Sequence, residues 1–247
     1  MPTVTQRISI MLINNETGAI NYLDDVAVMC QERDILLHSD CVQAAGIWGI
    51  DIRQVPFDFA TVSAHKFHGP KGVGCVYVRN PELCLPLIHG GHNQEFGLRG
   101  GTENVAGIVG MGAAAEIATN DLLYIQESAW KYRALFWDII KSRLDNTVHI
   151  NGQWPTLSKV LSIRVDGVDA DTFVVAMDAA GVCLSAGSAC RSLELEPSHV
   201  LLAMGLSPDE ARSSVRVSFS GLNTELQVRD AANIFADTVE VLRGSCL

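Results

Sequence analysis

Apolar runs alternate with amphipathic stretches through the first half of the chain. The runs Ile8–Ile13, Ile35–His38, Phe57–Val62 and Gly74–Val78 predict strands, and the stretch around Tyr22–Arg33 predicts a helix. Strands that alternate with helices are typical of a parallel or mixed sheet covered by helices. In such open sheets, ligands bind outside the carboxyl ends of the strands. The polar residues that follow these strands are therefore where chemistry is expected.

The second half of the chain has a different pattern. A long helix predicted over about Leu122–Leu144 leads to the run NGQWP, whose glycine and proline indicate a boundary. The main elements predicted beyond it are the strand Val160–Val165, the helix Ala170–Ala180 and the strand Ser214–Phe219. We therefore expect two domains, a large one over residues 1–150 and a small α+β domain over residues 151–247.

Composition and charge narrow the class of protein. The 247 residues are 48% hydrophobic, which excludes disorder, and 18 basic against 28 acidic residues give a net charge of −10. That charge argues against direct nucleic-acid binding, and no apolar run reaches the roughly 18 residues of a membrane span. The seven cysteines show neither disulfide-framework nor zinc-ligand spacing. We expect a soluble, cytoplasmic protein that does not contact a membrane.

Lys66 and Asp40 both follow predicted strands and could act on one ligand. Lys66, in the run SAHKFHGPKG, has apolar and glycine neighbours, and desolvation of a lysine frees its amine for Schiff-base chemistry. The carboxylate of Asp40 could hold a protonated ring nitrogen such as that of pyridoxal phosphate (PLP). Each also has a simpler interpretation: Lys66 as a strand-end lysine with its charge in water, and Asp40 as a cap for the segment that begins at Val42.

Three polar side chains accompany this pair. Gln43 could reach the same ligand as Asp40. Ser63 and His65 flank Lys66 in sequence and offer hydroxyl and imidazole donors suited to a phosphate group. Alternatively, either could simply satisfy a strand end.

Three further candidates lie elsewhere in the sequence. Cys190 closes SAGSAC, a run of small residues that leaves its thiol accessible for attack on a substrate. Arg216 is a charge inside a predicted strand, so it either binds an acidic partner or a carboxylate ligand, or faces the surface. Asn15, in NNETG, offers an amide at a strand end or serves only the turn.

Together these motifs resemble cysteine desulfurases of the NifS/IscS kind, which are PLP-dependent enzymes of fold type I. The likeness runs from about Ile8 to Leu242 through NNETGAI, HSDCVQAAG, SAHKFHGPKGVG, LRGGTEN, and SAGSACRSLELEPSHVLLAMG followed by SSVRVS. It implies an α/β fold, in which part of a large PLP-binding domain with a mixed or parallel sheet precedes a small C-terminal α+β domain that carries the cysteine loop.

The resemblance also implies a role for each residue of the cofactor site. Lys66 would bind PLP covalently and later move the substrate Cα proton. Asp40 would pair with the pyridinium nitrogen, and Gln43 would contact the ring hydroxyl. Ser63 and His65 would bind the phosphate.

The remaining roles concern the partner subunit, the substrate and sulfur transfer. Thr102 would reach the phosphate held by the other subunit of a homodimer, while Asn15 and Arg216 would hold the substrate carboxylate. Cys190 would attack the sulfur of L-cysteine, leaving a persulfide on the enzyme and alanine as product. The persulfide would pass to an acceptor protein, such as an iron–sulfur scaffold or a sulfurtransferase.

The resembled family carries a further N-terminal stretch before the strand that begins here at Ile8. That stretch supplies a Gly/Thr phosphate-binding turn and a histidine that stacks on the PLP ring. It also supplies a helix, and we expect a partner or another copy to cover the apolar surface that this helix would otherwise cover. Three hypotheses are open. The chain is a desulfurase, a PLP-dependent cysteine or cystine lyase, or a truncated non-catalytic partner of a full-length desulfurase. Cys190 argues against the lyase, because elimination needs no enzyme thiol.

Overall fold

The computed structural model of the chain describes residues 5–91, 93–152, 155–187 and 196–244. Across these ranges, strands alternate with helices in the first half, and a second sheet with its own helices follows. No helix within the described ranges is both long and apolar enough to cross a membrane.

The chain forms two compact units whose boundary differs from the expected one. The first unit comprises residues 1–13 and 21–122, and the second comprises residues 14–20 and 123–247. The predicted helix Leu122–Leu144 is present, but it belongs almost wholly to the second unit rather than to a domain ending at residue 150. The reason is packing, because its apolar residues join the core of the second unit.

A four-stranded mixed sheet forms the first unit. Its elements are β1 (Arg7–Met11), α1 (Asp24–Glu32), β2 (Leu36–Asp40), β3 (Phe59–Ser63), β4 (Gly74–Val78) and α2 (Val105–Asn120). The strand order is β1-β2-β3-β4, with β1, β2 and β3 parallel and β4 antiparallel to β3. The expected α/β fold with a mixed sheet is thereby confirmed.

The core of the first unit fixes the chain segment that follows β3. Ile13, Leu37 and Phe57 are each 1% exposed. A Cβ atom built on Gly46 would lie 2.4 Å from the Cβ of Phe67, and Gly46 has a φ of +78°. Only glycine therefore permits this close approach without a shift of the backbone. The contact anchors the turn that carries Lys66.

The second unit consists of an antiparallel sheet, the helices packed on it and one long helix. Its elements are α3 (Leu122–Leu144), β5 (Val148–Ile150), β6 (Val160–Val165), α4 (Ala170–Ala179), β7 (Ser185–Ala186), α5 (His199–Ala203), α6 (Pro208–Arg212), β8 (Ser214–Ser218) and α7 (Glu225–Gly244). The strand order is β5-β6-β8-β7. This is the small α+β arrangement expected for the C-terminal part.

Aromatic side chains dominate the core of the second unit. Phe136 of α3 meets Phe235 of α7 edge to face, with ring centroids 5.5 Å apart, and Phe173 of α4 meets Phe235 at 4.8 Å. Such edge-to-face pairs stabilise a core beyond the burial of their area. Helix α7 buries one stripe at helical spacing and starts at a capping box, in which the side chains of Thr224 and Gln227 each bond the other's backbone N–H.

Candidate active site

Polar residues gather at the carboxyl edge of the three parallel strands. β1 ends at Met11, β2 at Asp40 and β3 at Ser63. In the register of the sheet Met11 lies opposite Asp40, and Asp40 lies opposite Thr61, two residues before Ser63. Because the strands are parallel, their ends meet at one edge, where open sheets bind ligands. This is the edge at which the sequence analysis expects chemistry.

Asp40 turns the chain at the end of β2. One of its carboxylate oxygens, Oδ1, accepts a hydrogen bond from the backbone N–H of Val42 at 2.9 Å, and its carbonyl accepts one from Leu12 at 2.9 Å. The simpler interpretation of Asp40 as a cap is therefore correct, and it leaves the carboxylate fixed at the strand edge. Gln43, half-buried in the turn that follows, lies three residues further on.

The segment after β3 presents its charged residues to solvent. Residues Ala64–Phe67 form one 3₁₀ turn, in which positions three apart face the same side, so Ala64 and Phe67 are buried while His65 and Lys66 are exposed. The sequence predicts a desolvated Lys66, and this prediction is wrong because the structure leaves the lysine exposed. The Oγ of Ser63 lies 2.8 Å from the Nδ1 of His65, so hydroxyl and imidazole form one polar pair beside the lysine.

Paired glycines present Thr102. A Cβ atom on Gly90 would lie 2.5 Å from the Cα of Gly100, so the two backbone segments pass one another at a distance that excludes any side chain. Gln94 Oε1 accepts hydrogen bonds from the N–H groups of Gly91 and Gly101, both at 3.0 Å. Thr102 follows this crossing and is exposed in the first unit.

Asn15 and Arg216 come together in the second unit. Nη1 of Arg216, on β8, donates a hydrogen bond to the carbonyl oxygen of Asn15 at 2.9 Å. Asn14 shapes the turn, since its Oδ1 accepts hydrogen bonds from the N–H groups of Glu16 at 2.9 Å and Thr17 at 3.0 Å. A guanidinium carries five N–H donors, so it can hold both this carbonyl and a ligand carboxylate.

The cysteines differ in their burial and in the pKa of their thiols. Cys190, the predicted nucleophile, lies outside the described residues. Cys30 and Cys41 are buried, and burial raises the pKa of both thiols. Partial desolvation also raises the pKa of the Cys75 thiol, although Cys75, like Cys183, is exposed. A thiol needs its thiolate form to act as a nucleophile, so the three thiols with raised pKa values are poor candidates.

Two residues that sequence reasoning missed are Glu16 and Ser198. Glu16 is 4% exposed, and its Oε2 accepts a hydrogen bond from the Oγ of Ser198 at 2.5 Å, although 182 residues separate the two. A signal was present, because a charge inside the motif NNETG needs a polar partner if it is buried. The partner could not be identified, since no local pattern connects residues so distant in sequence.

The donor set of the first unit fits PLP. A carboxylate suits the ring nitrogen, an amide suits the ring hydroxyl, a hydroxyl–imidazole pair suits the phosphate and a primary amine suits the aldehyde. These are the side chains of Asp40, Gln43, Ser63 with His65, and Lys66. Asp40 is the last residue of β2 and Gln43 follows it, whereas Ser63, His65 and Lys66 lie at or just after the end of the neighbouring strand β3.

Comparisons with known proteins identify the relatives of this chain. The family model described as "Aminotransferase class-V" matches residues 2–230. The chain is 40% identical over 222 residues to "Cysteine desulfurase IscS" of Clostridium botulinum strain Hall, covering 88% of this chain and 55% of that protein. It is 37% identical over 236 residues to "Cysteine desulfurase" of Enterobacter agglomerans, covering 96% of this chain and 58% of that protein.

Solved structures agree with the sequence comparisons. A structure titled "NIFS-LIKE PROTEIN" superposes with a TM-score of 0.84 at 34% identity, covering 96% of this chain and 62% of that one. The NifS-like protein from Rickettsia africae superposes with a TM-score of 0.83 at 28% identity, covering 97% and 62%. The chain thus spans about 55% to 62% of the length of these relatives.

Proposed function

Because the chain belongs to the class-V aminotransferase family, whose members depend on PLP, we propose that it is a cysteine desulfurase that converts L-cysteine to L-alanine and retains the sulfur as an enzyme persulfide. The observation that carries the proposal is the gathering of Asp40, Ser63, His65 and Lys66 at the ends of two neighbouring strands. The names of the relatives support the choice of reaction.

The residues of the first unit hold the cofactor. PLP, when bound, supplies an electron sink that makes the Cα proton of an amino acid removable. Asp40 orients the ring through its nitrogen, and Gln43 contacts the ring hydroxyl. Ser63 and His65 bind the phosphate. The Nζ of Lys66 would hold the cofactor covalently and would take and return the Cα proton, and its exposure leaves the amine accessible for both roles.

The residues of the second unit bind the substrate and take its sulfur. Arg216 and Asn15 bind the carboxylate of L-cysteine. The Cys190 thiolate then attacks the substrate sulfur, forming an S–S bond as the Cβ–S bond breaks. The bonding electron pair passes to Cβ, which gains a proton, and the product alanine is released. Sulfur is transferred without an external oxidant or reductant.

The proposal also includes the oligomeric state of the chain and the delivery of its persulfide sulfur. The chain acts as a homodimer in which Thr102 reaches the phosphate of the other subunit, and the exposed residues Val105, Val109 and Ile117 on α2 support a partner over that helix. The persulfide is delivered to a protein acceptor, such as an iron–sulfur scaffold or a sulfurtransferase. The described cysteines are all free thiols, which suits a reducing cytoplasm.

The test of the proposal is product stoichiometry. The chain, supplied with PLP and L-cysteine, should release alanine and accumulate protein-bound sulfane sulfur in equal amounts during the first turnover. Cys190→Ala should abolish persulfide formation, and the matched variant Cys183→Ala, which changes an exposed thiol in the same unit, should leave it intact.

The two other hypotheses predict different results. A cysteine or cystine lyase would release pyruvate and ammonia and would tolerate Cys190→Ala. A non-catalytic partner would give neither product with any variant. Either result would contradict the proposal.

A further inference from the structure

A cavity that the proposed reaction does not use lies in the second unit, beside one side of α3. It encloses about 410 Å³. Trp130, Arg133 and Trp137 of α3, spaced so that they share one side of the helix, form part of its lining. Thr156, in the connection between β5 and β6, and Leu161 of β6 also line it. We propose that this cavity binds a small planar aromatic carboxylate.

The size and the side chains of the cavity suit an aromatic ring. Pockets that bury small organic ligands enclose about 300–1,000 Å³ and are lined mainly by apolar and aromatic side chains. Trp130 and Trp137 supply two indole rings, and Leu161, which is 1% exposed, supplies aliphatic surface. Trp130 is 36% exposed, so the lining extends from the surface of the unit to its core. A ring that enters from solvent would therefore leave water and contact apolar surface.

Arg133 places a positive charge in this apolar lining. It is the only charged residue among the described residues that line the cavity, and it is 9% exposed. Its guanidinium carbon lies 4.9 Å from the centroid of the Trp130 ring, a cation–π contact. Burial lowers the pKa of Arg133 below its ordinary value, since the charged form is poorly solvated there. An anionic ligand would offset this cost, so the cavity favours a carboxylate over a neutral group.

Arg133 and Thr156 supply hydrogen-bond donors for the carboxylate. The guanidinium carries five N–H groups, so two can bond the carboxylate oxygens while the others keep their contacts within the protein. Thr156 is 5% exposed, and its Oγ1 has no hydrogen-bond partner within the described part of the chain. A buried hydroxyl without a partner is costly. Because this hydroxyl makes no hydrogen bond, rotation about χ1 can turn it towards a ligand without breaking one.

Two other kinds of ligand fit these features less well. A neutral aromatic molecule would fill the apolar part of the cavity but would bring no counter-ion to the buried charge of Arg133. A free phosphate would bond the guanidinium but leave the indole rings and Leu161 without contact. An aromatic carboxylate satisfies both parts of the lining.

The first experiment measures binding to the full chain by isothermal titration calorimetry. Cinnamate is the probe, because it is a planar aromatic carboxylate, and cinnamamide is its matched neutral analogue of the same size and shape. We expect one cinnamate to bind each chain, and cinnamamide to bind about tenfold more weakly, because it lacks the charge-assisted hydrogen bonds. This measurement needs neither PLP nor turnover, so its result is independent of the proposed desulfurase function.

Substitution of Arg133 locates the site. Arg133→Met keeps a long unbranched side chain and removes the charge, so the Kd of cinnamate should rise about tenfold or more while that of cinnamamide changes less than about twofold. Arg143→Met is the matched control, since Arg143 lies on the same helix but pairs with Asp237 and Glu240 of α7. It should leave both Kd values within about twofold of wild type.

Two further variants make the test independent of any one substitution. Arg133→Lys keeps the charge but loses the paired donors, so it should weaken cinnamate binding severalfold even if Arg133→Met does not fold. Thr156→Val removes the hydroxyl at almost constant volume, so the Kd of cinnamate should rise about threefold or more. The melting temperature should not fall, because no hydrogen bond of this hydroxyl is lost within the described residues.

Three results would each overturn the inference. The first is a wild-type chain that binds no cinnamate at about 1 mM. The second is equal affinity of the wild-type chain for cinnamate and cinnamamide. The third is a Kd for cinnamate that is the same in the folded Arg133 variants as in Arg143→Met.

Discussion

Substitution of Arg216 by lysine tests the substrate end of the site. Arg216 lies on β8 between Ser162 of β6 and Ser185 of β7, and its Nη1 donates to the carbonyl of Asn15 at 2.9 Å. A guanidinium can donate a hydrogen bond to this carbonyl and two parallel hydrogen bonds to a carboxylate at the same time. A lysine ammonium is a compact point charge that lacks this planar pair of donors. Arg216→Lys therefore keeps the positive charge but loses the ability to bond the carbonyl and the carboxylate simultaneously.

The expected rise in KM follows from the hydrogen bond that the substitution removes. One charge-assisted hydrogen bond contributes about 1.5–3 kcal/mol, so KM for L-cysteine should rise about 10- to 150-fold. Asn15→Ala removes the side-chain amide but preserves the backbone carbonyl that Arg216 holds, so its KM should rise less, about tenfold. The PLP absorption band should be the same in both variants, because the cofactor residues belong to the first unit.

The assay is steady-state alanine formation across a range of L-cysteine concentrations. Arg164→Lys is the matched control, since Arg164 lies on the neighbouring strand β6 and pairs with Asp166 and Glu210 rather than with the NNETG turn. It should leave KM within twofold of wild type. A KM for Arg216→Lys equal to that of Arg164→Lys would refute the assignment of Arg216 to the substrate carboxylate.

Three further outcomes are expected. Asp40→Asn keeps an oxygen to cap its turn but removes the charge opposite the ring nitrogen, so kcat should fall about 100-fold or more in the alanine assay. Phe235→Ala, at a fully buried site, should lower the free energy of unfolding by about 3–5 kcal/mol in urea titration, whereas Val241→Ala, 65% exposed on the same helix, should change it by less than about 0.5 kcal/mol. Cys41, whose pKa is raised by burial, should resist iodoacetamide at pH 8 while Cys183 is alkylated, as mass spectrometry would measure; equal labelling of both would contradict this.

Periodicity predicted the regular elements because local physics determines them. Val160–Val165 and Gly74–Val78 form strands with the bounds expected from the sequence, and Leu122–Leu144 forms a helix with the expected bounds. The compact unit to which that helix belongs differs from the predicted domain, because membership depends on tertiary packing. Phe136 finds its partners Phe219 and Phe235 far along the chain, and no window of sequence reveals such contacts.

The candidate site was predictable only where local sequence patterns determine it. Strand ends are visible in the sequence, so the gathering of Asp40 and Ser63 at one edge followed from the topology of a parallel sheet. The exposure of Lys66 did not, because it depends on the 3₁₀ turn that faces Ala64 inward and the lysine outward. The contact of Glu16 with its distant partner likewise required the fold.

The most direct test of the central claim is the visible absorption spectrum of the chain with added PLP, compared with that of Lys66→Ala. Lys71→Ala is the matched control, because Lys71 is an exposed lysine five residues further along the same segment. The account predicts a new visible band in the wild-type chain and in Lys71→Ala that is absent from Lys66→Ala, and a shift of that band on addition of L-cysteine. The same spectrum in all three proteins would contradict it.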